Sequence, residues 1–408
     1  TFLFRHKLIF TFYFIGIITF FLFSREIFYS NYRAIISTLI FASHPRIFAH
    51  AFFNPKDIIF LALVTMSLFP TVKYLKTKKY CWIIIASIII GIAMSCRIVG
   101  IYLAVLLFVL YITVSLRNEQ LKTKKLYDHI ISGSFILIIS IFTLLVATPY
   151  FWAAPFDRLI DAFIRASRFP WAGTVFFAGE TISARSIPWY YIIVWIGITT
   201  PISYLIFFVT GIITFFRKIK YNIFNKPITV FCFFGLLIPL LMAIILKSVL
   251  YDGWRHFYFI YPFITVFISC GLFQLFKIIV HKKKYLELLI LLIMFSGTWV
   301  DIFKMHPFQQ VFFNQFAGND PMMEFEGDYY GTSYRQGLEY ILENDQSEKI
   351  NISIGNDPGA INRHILSNDD KERIIYSFMP EWNNDPDYFI TNFRTGDSRL
   401  DVMNLVRE

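Results

Sequence analysis

The residues richest in chemistry are Tyr251-Asp252-Gly253-Trp254-Arg255-His256, which set an acid, a guanidinium and an imidazole just before an apolar run from Phe257 to Phe276. Ionisable groups beside hydrocarbon are costly, and a cluster of mixed sign there suits an anionic headgroup. A helix-ending interfacial anchor would need only one Arg or Trp. A second group is His44-Pro45-Arg46-Ile47-Phe48-Ala49-His50-Ala51-Phe52-Phe53-Asn54-Pro55-Lys56-Asp57. Asp57 opens an otherwise uncharged span, so its carboxylate needs a cation, a wet cleft or a role in capping the helix. Arg97, in Ser95-Cys96-Arg97-Ile98-Val99-Gly100, interrupts an apolar stretch from Trp82 to Val114. It reads as a phosphate ligand or as a snorkelling arginine.

The elements that must hold these residues are membrane helices. The 408-residue chain is 56% hydrophobic and only 16% charged, against about a quarter charged in soluble domains. Apolar stretches of spanning length fall near 8–23, 33–49, 57–72, 82–96, 100–116, 130–148, 189–216, 228–247, 256–279 and 284–300. Four intervening loops are densely basic: Lys73, Lys76, Lys78 and Lys79; Arg117, Lys122, Lys124 and Lys125; Arg217, Lys218, Lys220 and Lys226; and Lys277, Lys282, Lys283 and Lys284. The positive-inside rule assigns these to the cytoplasm. Loops 44–57, 149–188 and 247–256, and both termini, then face outward. Arg46, Arg97, Arg255 and His256 share one depth on that side, where they could converge on a phosphate.

The net charge of +10 conceals a division. Lys and Arg exceed Asp and Glu 29 to 9 through residue 300, whereas acids prevail 19 to 9 after it. Residues 1–300 therefore read as the membrane domain and 301–408 as a separate, acidic, soluble domain on the outer side. The basic excess reflects topology and anionic membrane lipids, not nucleic acid. In the tail, Thr332 or Ser333 is placed to cap a helix, and 350–354, 373–378 and 388–393 read as strands of a small α/β fold. Between Pro149 and Pro188, Phe156, Leu159, Ile160, Phe163 and Ile164 follow helical spacing. Asp157, Arg158, Asp161, Arg165 and Arg168 take the other faces, as in an amphipathic helix on a membrane surface. The four cysteines make no case for a disulfide or a zinc site, and scattered His and Asp assign no divalent metal. No cleavable signal peptide is visible. The chain opens on Thr1 with its first residues already outward, which predicts a further helix and outer loop upstream.

No hydrolase motif and no nucleotide-binding loop is present. A membrane enzyme of this kind draws on an activated, lipid-borne substrate. In the loop 44–57 leading into a span, Arg97 after a span, the segment after Thr148-Pro149-Tyr150, and Asp252-Gly253-Trp254-Arg255-His256 followed by 258–262, the chain resembles the polyprenyl-phosphate-sugar-dependent glycosyltransferases of the GT-C fold. That group holds glycosyltransferase family 39, the protein O-mannosyltransferases, and the aminoarabinose transferases of lipid A. His306-Pro307-Phe308-Gln309, Phe313-Asn314 and Asp328-Tyr329-Tyr330-Gly331 are similar to bacterial members with a C-terminal outer domain.

The resemblance implies an all-α polytopic bundle of GT-C type with a small extracytoplasmic α/β domain, and localisation in a bacterial inner membrane. The implied reaction is inverting transfer of a hexose or pentose from a polyprenyl phosphate to an outward-facing lipid, glycan or protein. Arg97 and Arg255 would be phosphate ligands, oriented by His256 or Asp252, with His44 and Arg46 in the same substrate site. An acidic residue in the first outer loop would be the general base; that loop would lie upstream of Thr1, and Asp57 is a weak substitute for it. Two other classes fit the apolar spans: a transporter or flippase of a lipid-linked anion, and a glycan polymerase or ligase separable only by its acceptor. Transporters gather charge near the midplane between repeats. Charge at the outer face favours the enzyme.

Overall fold

The computed structural model describes residues 2–117, 123–167, 169–222, 227–279, 284–378, 386–392 and 394. Among the described residues, seven helical segments are long and apolar enough to cross a membrane: Leu3–Phe28, Asp57–Thr77, Ile98–Leu116, Tyr127–Ala147, Pro227–Ile245, Arg255–Ile278 and Tyr285–Lys304. Tyr80–Cys96 and Ile202–Arg217 are shorter apolar helices. In chain order the bundle comprises α1 (Phe2–Phe28), α2 (Asn31–Ala42), α3 (Pro45–Phe53), α4 (Asp57–Thr77), α5 (Tyr80–Cys96), α6 (Ile101–Arg117) and α7 (Thr123–Ala147). After an intervening segment come α9 (Tyr191–Thr199), α10 (Ile202–Asn222), α11 (Pro227–Ile245), α12 (Tyr261–Ile279) and α13 (Lys284–Lys304). Lys122, Lys226, Lys282 and Lys283 of the basic loops, and Arg168, lie outside the described residues.

The single span expected over 33–49 is broken instead. Pro45 cannot continue a helix and forces its predecessor out of the helical region, so His44 is extended and Pro45 starts α3. Breaking a helix in an apolar setting frees carbonyls that need donors. Tyr261 Oη donates to the Ile40 carbonyl at 3.0 Å and Tyr13 Oη to that of Ala42 at 3.3 Å. The stretch 189–216 breaks likewise at Thr200-Pro201, between α9 and α10. There Asn314, from the segment after α13, donates to the carbonyls of Gly197 and Thr200 at 2.7 and 2.6 Å.

Close helix approach fixes α12, which carries the site into the bundle. A Cβ on Gly211 of α10 would lie 1.9 Å from the Phe267 carbonyl oxygen, and one on Gly271 of α12 would lie 2.0 Å from that of Phe207. The two backbones touch through these glycines, as small residues permit inside a membrane.

The connection 149–188 contains α8 (Pro155–Ser167) and an antiparallel hairpin of β1 (Thr174–Phe177) and β2 (Glu180–Ser183). On α8, Phe156, Ile160 and Ile164 form an exposed apolar stripe, 81, 59 and 55% accessible, while Asp161 pairs with Arg165 at 2.7 Å. That is the pattern of a helix lying in an interface.

The tail is a small α/β unit with its own core. β3 (Ile350–Ile354) is the centre of a parallel sheet flanked by β4 (Ile374–Phe378) and β5 (Tyr388–Ile390). Ile350, Ile352 and Ile354 pack with Tyr334, Leu338 and Ile341 of α14 (Tyr334–Asn344); α15 (Pro358–Asn362) and α16 (Asn368–Arg373) complete the unit. Ser333 takes the cap position of α14 without capping through its side chain. Asp328 does that work, accepting the Ser333 N–H at 2.8 Å and the Thr332 hydroxyl at 3.0 Å. Between bundle and tail, residues 305–333 form a strap laid across one end of the bundle. It is stitched down by Arg46 Nε to the Phe312 carbonyl at 2.9 Å, and by the Gly179 N–H to that of Glu324 at 3.0 Å.

Candidate active site

Three helix ends meet under the strap. The first residue of α4, Asp57, the residue closing α5, Arg97, and the residue opening the helical run into α12, Arg255, lie at one end of the bundle. Asp57 is 2% exposed. A carboxylate so buried must be neutralised, and both of its oxygens are engaged. Arg97 Nη2 contacts Oδ1, Arg255 Nη1 lies 3.0 Å from Oδ2, and Asn54 Nδ2 donates to Oδ2 at 2.8 Å.

Asp57 does not cap its own helix, as the sequence allowed. Lys56 occupies the cap position, and the Asp57 N–H is taken by Asn54 Oδ1 at 3.1 Å. Asn54 also contacts His50 Nδ1 at 3.0 Å. One asparagine thereby fixes the backbone and the carboxylate of Asp57 together.

Arg255 is held on every side. Its Nε contacts Asp252 Oδ2, and its guanidinium stands 5.0 Å over the Tyr251 ring and 4.6 Å over that of Tyr329 from the strap. Asp252 and Gly253 both adopt left-handed backbone, with φ of 60° and 65°. For Asp252 that conformation is strained, and it persists only where surroundings enforce it. Glu326 of the strap supplies the enforcement: Oε2 accepts the Asp252 N–H at 2.8 Å. Trp254, fully buried, donates its indole N–H to Thr199 Oγ1 at 2.8 Å and anchors the same turn.

Two buried carboxyls so close compete for ionisation. Burial, then the neighbouring Asp252 charge, pushes the Glu326 carboxyl up to about 8. Burial raises Asp252 as well, while Arg255, Arg394 and Arg46 oppose the rise. Near neutral pH the pair therefore retains a proton. Arg97, Arg255, Arg46 and Arg394 then face two carboxylates, Asp57 and Asp252, leaving the cluster with an excess of positive charge. Such a site favours a phosphate, which guanidinium forks bind bidentately.

The other expected residues are placed unevenly. Arg46 is buried beside the cluster, its guanidinium 4.5 Å over Phe313 and 5.1 Å over Trp195; among the described residues its Nη2 atom has no hydrogen-bond partner. His256 is half-buried, edge-on to Tyr251 at 4.7 Å. His44 sits deeper, accepting the Ile47 N–H at the start of α3 and packed edge-on against Tyr261 and Trp254 at 4.8 and 5.6 Å. Its contacts are those of a capping residue. Asn54, Glu326 and Arg394 were not singled out from sequence. In the sequence Glu326 stands among other acids, Asp320, Glu324 and Asp328, so nothing local marks it out. Among the described residues, no three His, Cys, Asp or Glu side chains come together as metal ligands would.

No curated protein matches the chain. Residues 8–144, running from α1 nearly to the end of α7, match the model of the dolichyl-phosphate-mannose-protein mannosyltransferase family. The match takes in about a third of the chain, including His44, Arg46, Asp57 and Arg97 but neither Arg255 nor the strap. Together with the apolar helices, it supports a multi-pass membrane protein of the GT-C glycosyltransferase kind that uses a lipid-linked sugar donor.

Proposed function

We propose that the chain moves a sugar, with inversion, from a polyprenyl-phosphate carrier to an acceptor on the outer side of a bacterial inner membrane. The observation that carries this reading is the convergence of Arg97 and Arg255 on Asp57 at one end of an apolar bundle. As the sugar leaves, negative charge grows on the carrier phosphate. Preorganised guanidiniums aimed at that charge lower the barrier without reorganising during the step. Asp57 is here a positioning residue: with both oxygens engaged it is ill placed to take a proton. The proton of the acceptor hydroxyl goes, in this reading, to an acidic group outside the cluster. Asp252 and Glu326 hold the orientation of Arg255, and Arg46 adds positive charge beside it.

The reading places the site end, the strap and the α/β unit outside the cytoplasm. Charge concentrated at a bundle end, with no midplane cluster among the described residues, favours a transferase over a flippase. The matched family's name specifies dolichyl-phosphate mannose, so polyprenyl-phosphate mannose is the first donor to assay, followed by other hexoses and pentoses.

The test replaces Arg255 by Ala in the full-length protein and measures single-turnover transfer from a synthetic polyprenyl-phosphate sugar in detergent. Loss of a positioned charge donor predicts a fall of roughly 100-fold or more in kcat. Unchanged turnover removes Arg255 from the donor site. Orientation is tested separately by single cysteines at Lys78 and Asn319: a reagent that cannot cross membranes should label only the latter, and the reverse pattern overturns the topology.

A further inference from the structure

A cavity of about 360 Å³ opens between α9 and the end of α11, at the same end of the bundle as the arginine cluster but lined by different residues. Its mouth carries two cations, Arg185 and Lys247, and two hydroxyls, Ser186 and Ser248; its lining contains no acid. The remaining walls are apolar, Ile192 among them. The rim turns toward hydrocarbon: Trp189 is 65% exposed, and Ile193 and Ile245, beside it on α9 and α11, are 51 and 73% exposed. Cations above an apolar, membrane-facing floor match a molecule with a charged head and a hydrocarbon body.

Lys247 adds an independent observation. It follows the last turn of α11 in left-handed backbone, φ 47°, while the Ser248 N–H closes back on the Ala243 carbonyl at 3.0 Å. Helices that end this way usually place glycine at that position, because a side chain is disfavoured there. A lysine held in that conformation stands just past the helix C-terminus and lines the cavity. Arg185 is anchored by its Nε to the Trp171 carbonyl at 3.3 Å, and Trp171 packs on Tyr251 at 4.3 Å. Tyr191, buried, is among the lining residues.

We propose that this cavity binds the phosphate of a lipid headgroup of net negative charge, between Arg185 and Lys247, as a second anion site separate from the arginine cluster. Its chain would lie along Ile192 and the exposed faces of α9 and α11. The proposal does not depend on the transferase reading, because it is decided by binding alone.

The experiment uses the full-length protein in neutral detergent and counts bound molecules by native mass spectrometry. Phosphatidylglycerol, phosphatidylcholine and inorganic phosphate are added in turn. The expected result is binding of phosphatidylglycerol that falls roughly ten- to thirty-fold in R185A/K247A, since each interfacial cation is worth about a fivefold factor. R185K/K247R should keep it, and Ile192→Trp, which fills the cavity, should lose it with both cations in place. K76A, which removes a cation from the other end of the bundle, should leave it unchanged. Equal retention of phosphatidylcholine, or unaltered binding in R185A/K247A, overturns the proposal. Inorganic phosphate binding as tightly as the lipid overturns it in favour of a soluble-anion site.

Discussion

Helix α4 has a carboxylate with two cations at each end, and the two arrangements differ in every physical respect that matters. At its start, Asp57 is engaged by Arg97 and Arg255, with side-chain exposures of 1, 23 and 9%. At its other end, Glu26 of α1 is engaged by Lys73 at 3.2 Å and Lys76 at 2.8 Å, with lysine side chains 28 and 29% exposed. The lysines are compact, hydrated point charges on flexible stems, and one of them also lies over the Tyr29 ring at 4.1 Å. Such a trio closes a helix pair and leaves no directional donors arranged for a ligand. Arg255 is planar, nearly buried and fixed by further partners, Asp252, Tyr251 and Tyr329, while Asn54 stands behind the carboxylate; Arg97, partly exposed, completes the pair. Holding a guanidinium that rigidly beside a buried carboxylate costs stability. That cost has a purpose if an anion is to be received there.

The sharpest way to break the comparison is to remove each carboxylate in turn. Asp57→Asn leaves two largely desolvated guanidiniums without their counter-ion, and breaking a buried pair in this way costs about 3–5 kcal/mol. We expect a large drop in thermal stability in detergent, with loss of sugar transfer. Glu26→Gln should shift stability by no more than about 1 kcal/mol. Equal shifts for the two variants would erase the distinction between the ends.

Next in size are the exchanges that keep charge and alter shape. Arg255→Lys removes the fork that spans Asp57 and Asp252, and Arg97→Lys removes a single contact to Asp57. We expect the first to cut kcat at least tenfold and the second less, both with stability closer to that of the parent than Asp57→Asn, since a cation remains. If both lysine variants turn over normally, bare charge suffices and the geometric part of the reading fails.

A third effect belongs to the strap alone. Because the Glu326 carboxyl is raised to about 8 from an ordinary value near 4.5, the folded protein holds a proton that the unfolded chain releases between these limits. The unfolded state therefore binds fewer protons in that window, and stability falls as pH rises through it, by about 1.4 kcal/mol per pH unit at most for one group. Below the window both states are protonated and the term vanishes. Glu326→Gln keeps an oxygen that can accept the Asp252 N–H, and should flatten the decline in melting temperature between pH 5 and pH 8. An unchanged slope in that variant would assign the pH dependence to another group.

The same contrast explains what was legible in the sequence. Asp57, Arg97 and Arg255 stand out because each is a charge at the edge of an apolar run, and hydropathy alone puts all three at helix ends. Their meeting on one carboxylate is a matter of packing, set in part by the glycine contact of α10 with α12, and no local pattern encodes it. The break of 33–49 was announced by Pro45, yet apolar length read as one span; the tyrosines that satisfy the freed carbonyls come from α1 and α12. Glu326 and Arg394 escaped because they reach the site from the strap and the tail, more than 70 residues beyond Asp252, where the sequence looks like an ordinary acidic, soluble segment. Asn54 escaped because its neighbour Asp57 carries the charge that draws the eye.

The smallest expected effect is at the lysine end, and it sharpens the comparison by salt. Lys73 and Lys76 are each about a quarter exposed, so their attraction to Glu26 is screened by counter-ions, and removing one leaves the other in place. Lys76→Ala should lower stability by less than about 1 kcal/mol, and raising the salt from 50 mM to 0.5 M should abolish most of that difference. In the Asp57 trio Asp57 and Arg255 are nearly buried, so it should respond less to the same salt step. A thermal-shift series on the parent, Lys76→Ala and Asp57→Asn at both concentrations reads the two terms side by side. A salt-sensitive Asp57 effect would mean that the site is wetter than its burial implies, and would weaken the case for a desolvated phosphate cradle more than any change at the lysines could.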